Sequence, residues 1–213
     1  MPVTIFNTPV LTPILRVIAA GLRGLTGWRA EGGVPDVPRL VVAVAPHTSN
    51  WDVPVGIILC LKLRISPSWF VKSSFFRFPF GGLCRWLGAV PVERSRATNA
   101  VSHAVRALRD RERVMLAFTP EGTRAATRYW KTGFYHIAHG AGVPIALCYL
   151  DYSRKKGGLG PLLWPTGDMY ADMEKIREHY APFKGLHPEL QGPVAFAPPG
   201  FVEKSTEERA QRA

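Results

Sequence analysis

A histidine followed five positions later by an aspartate, in His47-Thr48-Ser49-Asn50-Trp51-Asp52, is the pair of residues in this chain best suited to move a proton. It comes after Leu40-Val41-Val42-Ala43-Val44-Ala45, an apolar, β-branched run that predicts a buried strand, and Pro46, which cannot extend a ladder. His47 therefore falls on a strand-to-helix turn. Ser49 or Asn50 can cap the helix that follows, with Asp52 in its first turn. Because His47 lies outside that helix, the gap can return the carboxylate to the imidazole. A carboxylate bonded to one ring nitrogen fixes the tautomer and leaves the other nitrogen to take a proton. That is a general base with no serine or cysteine nucleophile next to it. A histidine at a helix entrance near an ordinary first-turn aspartate is the competing reading of the same residues.

The second stretch with chemical character is Pro120-Glu121-Gly122-Thr123-Arg124, after an apolar run at 114–118 that predicts another strand. Proline stiffens such a turn and glycine lets a ligand approach the backbone. Threonine and arginine supply hydroxyl and guanidinium donors, and an arginine fork matches phosphate oxygens with paired bonds. The plainer alternative is a polar turn in which Glu121 and Arg124 pair with each other. About seventy residues separate the two stretches, too many for spacing alone to bring them together.

The elements that must position these groups alternate between strand and helix. Further strands are predicted at 68–72, 89–92 and 144–150, and residues 159–164 follow a turn at 155–158. A helix runs from Asp52 to about Leu63. Val101, Ala104, Val105 and Leu108 mark the buried face of another. Residues 133–139 suit a helix closed by Gly140, and Thr166 or Asp168 caps one carrying Met169, Met173, Ile176 and Tyr180 on a shared face. The fold class is α/β, a mixed central sheet flanked by helices, with an amphipathic N-terminal helix. That first helix opens at Thr12-Pro13 and carries Ile14, Val17, Ile18, Leu22 and Leu25 on one side, Arg16 and Arg23 on the other. Three parts follow: residues 1–30 as an amphipathic helix for a membrane surface, or else one packed on the domain, 31–182 as the domain with the candidate catalytic residues, entered through a Gly/Pro-rich linker at 31–39, and 183–213 as a loose Pro/Gly-rich and charged tail.

Composition narrows the partners. The chain has 213 residues, 46% of them hydrophobic, and 27 Lys+Arg against 16 Asp+Glu give a net charge of +11. Such an excess suits phosphate-bearing partners. An anionic membrane surface fits; no nucleic-acid motif is recognisable. No run of roughly 18 apolar residues is present to span a bilayer. Cys60, Cys84 and Cys148 lack paired spacing and read as small core residues of a reducing compartment. His136 and His139 suggest no third ligand, so no metal site is expected.

Four blocks in order carry a resemblance. His47 to Asp52, Gly88-Ala89-Val90-Pro91-Val92-Glu93-Arg94, Phe118 to Arg124, and Val143-Pro144-Ile145 together look like the motifs of the 1-acylglycerol-3-phosphate (glycerolipid) acyltransferase family. The match covers about residues 40–150. It departs from the family's usual pattern at Pro46, Glu93 and Ala125. Many members of that family have membrane-spanning or longer N-terminal segments, whereas this chain looks peripheral, and the cytoplasmic face of the membrane is its expected location. The resemblance implies acyl transfer from acyl-CoA or acyl carrier protein to a lysophospholipid hydroxyl, with those donors as co-substrates and no cofactor. It further implies His47 as general base and Asp52 as its orienting carboxylate. Arg94 and Arg124 would hold the acceptor phosphate in a pocket shaped by Glu121, Gly122 and Thr123. Lys72 and Lys131 are candidates for added positive charge there, against the plainer reading as solvated lysines.

Overall fold

A computed structural model of the chain describes residues 3–77, 79–92 and 97–201. Among the described residues a seven-stranded sheet forms the centre, in the spatial order β1-β7-β6-β2-β5-β3-β4. The strands are β1 (Arg29–Glu31), β2 (Arg39–Ala45), β3 (Pro67–Lys72), β4 (Ala89–Val92), β5 (Val114–Phe118), β6 (Ile145–Asp151) and β7 (Lys156–Leu163). The run from β4 through β3, β5 and β2 to β6 is parallel. β7 runs antiparallel to β6, and β1 lies parallel to β7, so the sheet is mixed. The helices are α1 (Leu11–Thr26), α2 (Asp52–Leu63), α3 (Gly81–Trp86), α4 (Ala97–Arg109), α5 (Gly133–Ala141) and α6 (Met169–Tyr180).

β2 is central and covered on both faces, which is why it reads as a continuous apolar run rather than an alternating one. Its odd residues, Val41, Ala43 and Ala45, face a core built with Leu108, Phe134, Ile137, Ile176 and Tyr180 of α4, α5 and α6. Its even residues, Leu40, Val42 and Val44, face Cys60 and Leu63 of α2. Helices thus lie on opposite sides of the sheet. α1 packs on α2 through Ala19 against Leu61. The Tyr180 hydroxyl bonds the carbonyls of Ala43 and Cys148, at 2.7 and 3.0 Å, fastening α6 to the seam between β2 and β6.

Several expectations shift. Asp168 does cap α6, accepting from the Tyr170 and Ala171 amides, while Thr166 bonds Asp172 instead. α5 runs past Gly140 to a left-handed cap at Gly142, and Gly140 serves close packing against Val105 of α4. Residues 155–158 are not simply a turn: β7 starts at Lys156, and β1 was hidden in what composition marks as the edge of a linker. Glycines there reflect backbone proximity, since a Cβ on Gly158 would sit 1.8 Å from the Glu31 carbonyl oxygen. β1 also crosses the expected 30/31 division, and Trp28 is buried against Leu59 and Leu150. The stretch 183–201 is packed rather than loose, with Phe183 and Phe196 in the main core and a bridge from Trp130 to Phe196.

Gly158→Ala is expected to force β1 off β7 and cost about 2 kcal/mol, within the usual range for a disruptive substitution. Gly21→Ala, on α1 where nothing lies within 4 Å of the added carbon, is expected to be neutral or stabilising by up to about 1 kcal/mol. Urea unfolding followed by tryptophan fluorescence reads both; equal midpoints for the two variants would contradict the close β1–β7 approach.

Candidate active site

Two loops leave the same edge of the sheet. β2 and β5 are neighbouring parallel strands, with Ala43 opposite Phe118, so the chain after Ala45 and the chain after Phe118 emerge side by side. This supplies the adjacency that seventy residues of spacing could not.

His47 and Asp52 meet. The His47 Nδ1 lies 2.9 Å from Asp52 Oδ2. Asp52 is 5% exposed. A carboxylate only accepts, so Nδ1 carries the hydrogen and Nε2 is left with its lone pair. Nε2 has no hydrogen-bond partner among the described residues, and the side chain keeps 11% of its surface open. The same Oδ2 accepts from the Thr48 and Ser49 amides, each at 3.0 Å, and Oδ1 accepts from the Tyr152 hydroxyl at 2.7 Å. Burial works against ionisation of Asp52, but the bonds from His47, Tyr152 and Ser49 outweigh it and hold its carboxyl below the ordinary range. The expected capping by Ser49 or Asn50 is not what happens. Ser49 Oγ instead accepts from the Trp51 amide, and the carboxylate of Asp52 turns back to gather the loop amides.

Glu121 also belongs to this cluster. It is 8% exposed, and its Oε1 accepts from the His47 amide at 3.0 Å. Its Oε2 is buried and unpartnered among the described residues. Burial pushes the Glu121 carboxyl up, against the lowering effect of backbone bonds from its own loop and from His47. Ala45, Pro46, Trp130, Tyr180, Gln191 and Gly192 close around it without room for a water molecule. Glu121 therefore does not pair with Arg124, which is exposed. Gly122 makes the reversal between them with φ +69°, a conformation that L side chains rarely adopt. Thr123 is exposed and its hydroxyl accepts from the Ala125 amide. Lys131 returns beside the turn, its amide bonded to the Pro120 carbonyl and its side chain against Gly122.

Lys72 closes β3 opposite Val92 of β4; of Lys72 the backbone alone is described. Arg94 lies outside the described residues. Two contributions had no signal in the sequence. Tyr152 follows β6, and the segment after α6 reaches the site through the His187 amide, which donates to Thr48 Oγ1 at 3.1 Å. A cavity of about 520 Å³ opens at the opposite ends of the strands, beside Leu40, Pro67 and Val114, away from the histidine. The His47–Asp52 pair thus sits beyond the carboxyl ends of the strands and not in that cavity.

An imidazole poised by a buried carboxylate, beside a loop carrying an exposed arginine, matches the motifs read in the sequence. The family described as Acyltransferase matches residues 33–150, more than half of the chain, and the chain belongs to that family of enzymes. It is 25% identical over 178 residues to the 1-acyl-sn-glycerol-3-phosphate acyltransferase of Haemophilus influenzae, covering 79% of this chain and 72% of that one. To the enzyme of the same name in Escherichia coli it is 31% identical over 122 residues, 54% of this chain and about half, 48%, of the relative. The crystal structure of the 1-acyl-sn-glycerophosphate (LPA) acyltransferase PlsC from Thermotoga maritima shares the fold. The TM-score is 0.53 at 18% identity, over 79% of this chain and 76% of that one.

Glu121→Ala strips the His47 amide of its partner and is expected to cost about 1–3 kcal/mol. Glu121→Gln keeps an acceptor oxygen and removes a charge from a dry site, so its expected cost is under about 1 kcal/mol. Chemical denaturation of both variants checks the order; a Gln variant as weak as the Ala variant would contradict it.

Proposed function

We propose that this acyltransferase moves a fatty acyl group from acyl-CoA or acyl carrier protein to the free hydroxyl of a lysophospholipid such as 1-acylglycerol 3-phosphate, at a membrane surface. The observation that carries the reading is a histidine locked by Asp52, its Nε2 without a partner among the described residues, next to the loop that bears Arg124.

In this mechanism Nε2 removes the proton of the acceptor hydroxyl as its oxygen attacks the thioester carbonyl. The tetrahedral intermediate collapses by breaking the carbon–sulfur bond, and the imidazolium returns the proton to the departing thiolate. No covalent acyl-enzyme is needed, because base and both substrates share one site. Asp52 keeps the tautomer and stabilises the imidazolium. Arg124, with Arg94, takes the acceptor phosphate, and Gly122 and Thr123 shape that contact. Lys131 and Lys72 add positive charge. Glu121, turned inward, sets the His47 backbone instead of touching phosphate.

The membrane surface is supported by the orientation of α1. Its inward side carries buried Thr12 and Ala19 with half-buried Arg16 and Arg23, while Val17 and Leu25 are 74% and 88% exposed. An apolar face turned to solvent suits insertion at a headgroup boundary, and the chain's net charge of +11 suits attraction to anionic lipid. No helix among the described residues is long and apolar enough to cross a membrane. The proposed location is peripheral, on the cytoplasmic face.

Thiol release from acyl-CoA with lysophosphatidic acid tests the reaction. General-base catalysis is typically worth about 10²–10⁴-fold, and His47→Ala is expected to lower kcat on that scale. Arg124→Ala is expected to raise the acceptor KM with little change in the donor KM. An unchanged acceptor KM would point to an acceptor without phosphate, such as a lyso-aminolipid or an amphiphilic alcohol. Anionic-lipid binding with no thiol release at all would leave a non-catalytic binding module.

Val17→Ser with Leu25→Ser is expected to reduce co-sedimentation with anionic liposomes without lowering the unfolding midpoint, since both side chains face solvent. These substitutions are preferable to deleting residues 1–30, which would remove buried Trp28. Undiminished sedimentation would take α1 out of the membrane contact.

A further inference from the structure

We propose that Tyr152 is a positioning residue for the His47–Asp52 pair: its hydroxyl occupies the carboxylate oxygen that the histidine does not use, and so fixes both the angle and the charge of Asp52. The inference rests on the proposed role of His47 as base. It concerns a residue beyond the 33–150 span that matches the family.

The two oxygens of Asp52 are served unequally. Oδ2 takes three donors, the His47 ring and the amides of Thr48 and Ser49. Oδ1 takes one among the described residues, Tyr152 at 2.7 Å. Without it, half of a buried carboxylate would have no partner, a costly state for a desolvated charge. The phenol is suited to remain a donor, because burial and the adjacent Asp52 carboxylate both push its ionisation up.

The ring itself is well held. Tyr152 follows directly on β6, which pairs with β2, the strand that leads to His47. Its amide donates to the Lys184 carbonyl at 2.9 Å. Its ring meets Trp28 edge-on, 4.9 Å between centroids with planes at 89°. Val55 and Leu59 of α2 pack in the same cluster. The hydroxyl is thus aimed by four separate parts of the chain: the segment leaving α1, the helix that carries Asp52, the end of β6, and the Lys184 segment after α6.

Besides Tyr152, two ionisable residues among the described ones bond to the pair or to the loop between them. Glu121, after β5, reaches the His47 amide through Oε1. His187, in the segment after α6, touches Thr48 through its amide alone, and its ring pairs with Glu189. A change in the titration of His47 on loss of the Tyr152 hydroxyl can therefore be traced to Asp52.

Tyr152→Phe keeps the ring and removes only the donor. The expected result is a fall in kcat of about tenfold or more, the scale of one hydrogen bond to a charged group, with both KM values unchanged. The acid limb of the kcat–pH profile is expected to move to higher pH. A carboxylate with one donor fewer keeps more charge for the imidazolium and favours its protonated form. The double-mutant cycle with Asp52→Asn gives the sharper outcome: in that background Tyr152→Phe is expected to cost nothing further. Tyr149→Phe, which removes a buried hydroxyl that donates to Glu31, is the comparison variant and is expected to leave the acid limb in place.

An NMR titration of the His47 ring gives a readout free of any substrate, and the curve is expected to shift upward in the Phe variant. If the wild type releases no thiol while that shift is present, the acyl-transfer reading fails and the positioning role stands. An unmoved ring titration, or losses that add in the cycle, would overturn the role of Tyr152.

Discussion

The carboxylate of Asp52 draws four donors to one buried anion, from the His47 ring, two consecutive loop amides and the Tyr152 hydroxyl. An ionised group so deeply placed is tolerable only when its lone pairs are occupied, so the geometry around it has little latitude. Each donor comes from a different requirement of the fold. The amides need a non-helical turn after Pro46, the carboxylate needs α2 to begin at once, and the phenol needs β6 to end beside β2. The histidine is held as one more donor in that set. Its second nitrogen is then the group the set does not consume, and this is what makes the arrangement chemically useful.

The sheet places the rest. β2 and β5 are adjacent and parallel, yet the chain leaving β2 forms α2 on one face and the chain leaving β5 leads to α5 on the other. Where outgoing connections part to opposite faces, a crevice forms beyond the carboxyl ends of the strands. The five residues after Thr119 divide their work beyond the ends of β2 and β5. Glu121 points in and anchors the His47 backbone, Gly122 reverses the chain, and Arg124 is exposed. One short loop therefore both braces the His47 backbone and presents a cation, and the order of its residues follows from needing a buried acceptor before the turn and an exposed donor after it.

What could be read from the chain was what is local. The five-residue return from His47 to Asp52, the doubly covered strand at 40–45 and the Asp168 cap are all matters of a few neighbouring residues, and the fold keeps them. Glu121 shows the limit. Its sequence context is a polar turn, and nothing there says that β5 will lie beside β2 and offer the His47 amide as a partner. Tyr152 has no signature either, since one tyrosine after a strand has many possible uses. Glycines misled where they allow close backbone contact rather than a turn, as at Gly158 against Glu31. The stretch 183–201 resembles a tail in composition, but two phenylalanines are enough to bind it into the core.

The orientation of α1 follows a different logic from that of its amphipathicity. A periodic apolar stripe normally faces the domain, yet here the domain takes the side with Thr12 and Ala19, and the stripe is turned out. The reason lies in what α1 can pack against. α2 offers it Ile57, Ile58 and Leu61, which share one cluster with Leu15 and the buried Ala19 of α1. Arg23 then lies along the domain side and bonds the Trp28 carbonyl. Trp28 in turn packs against Tyr152, the donor to Asp52. A helix with an exposed apolar outer face is in this way joined, through one tryptophan and one tyrosine, to the residues that hold His47.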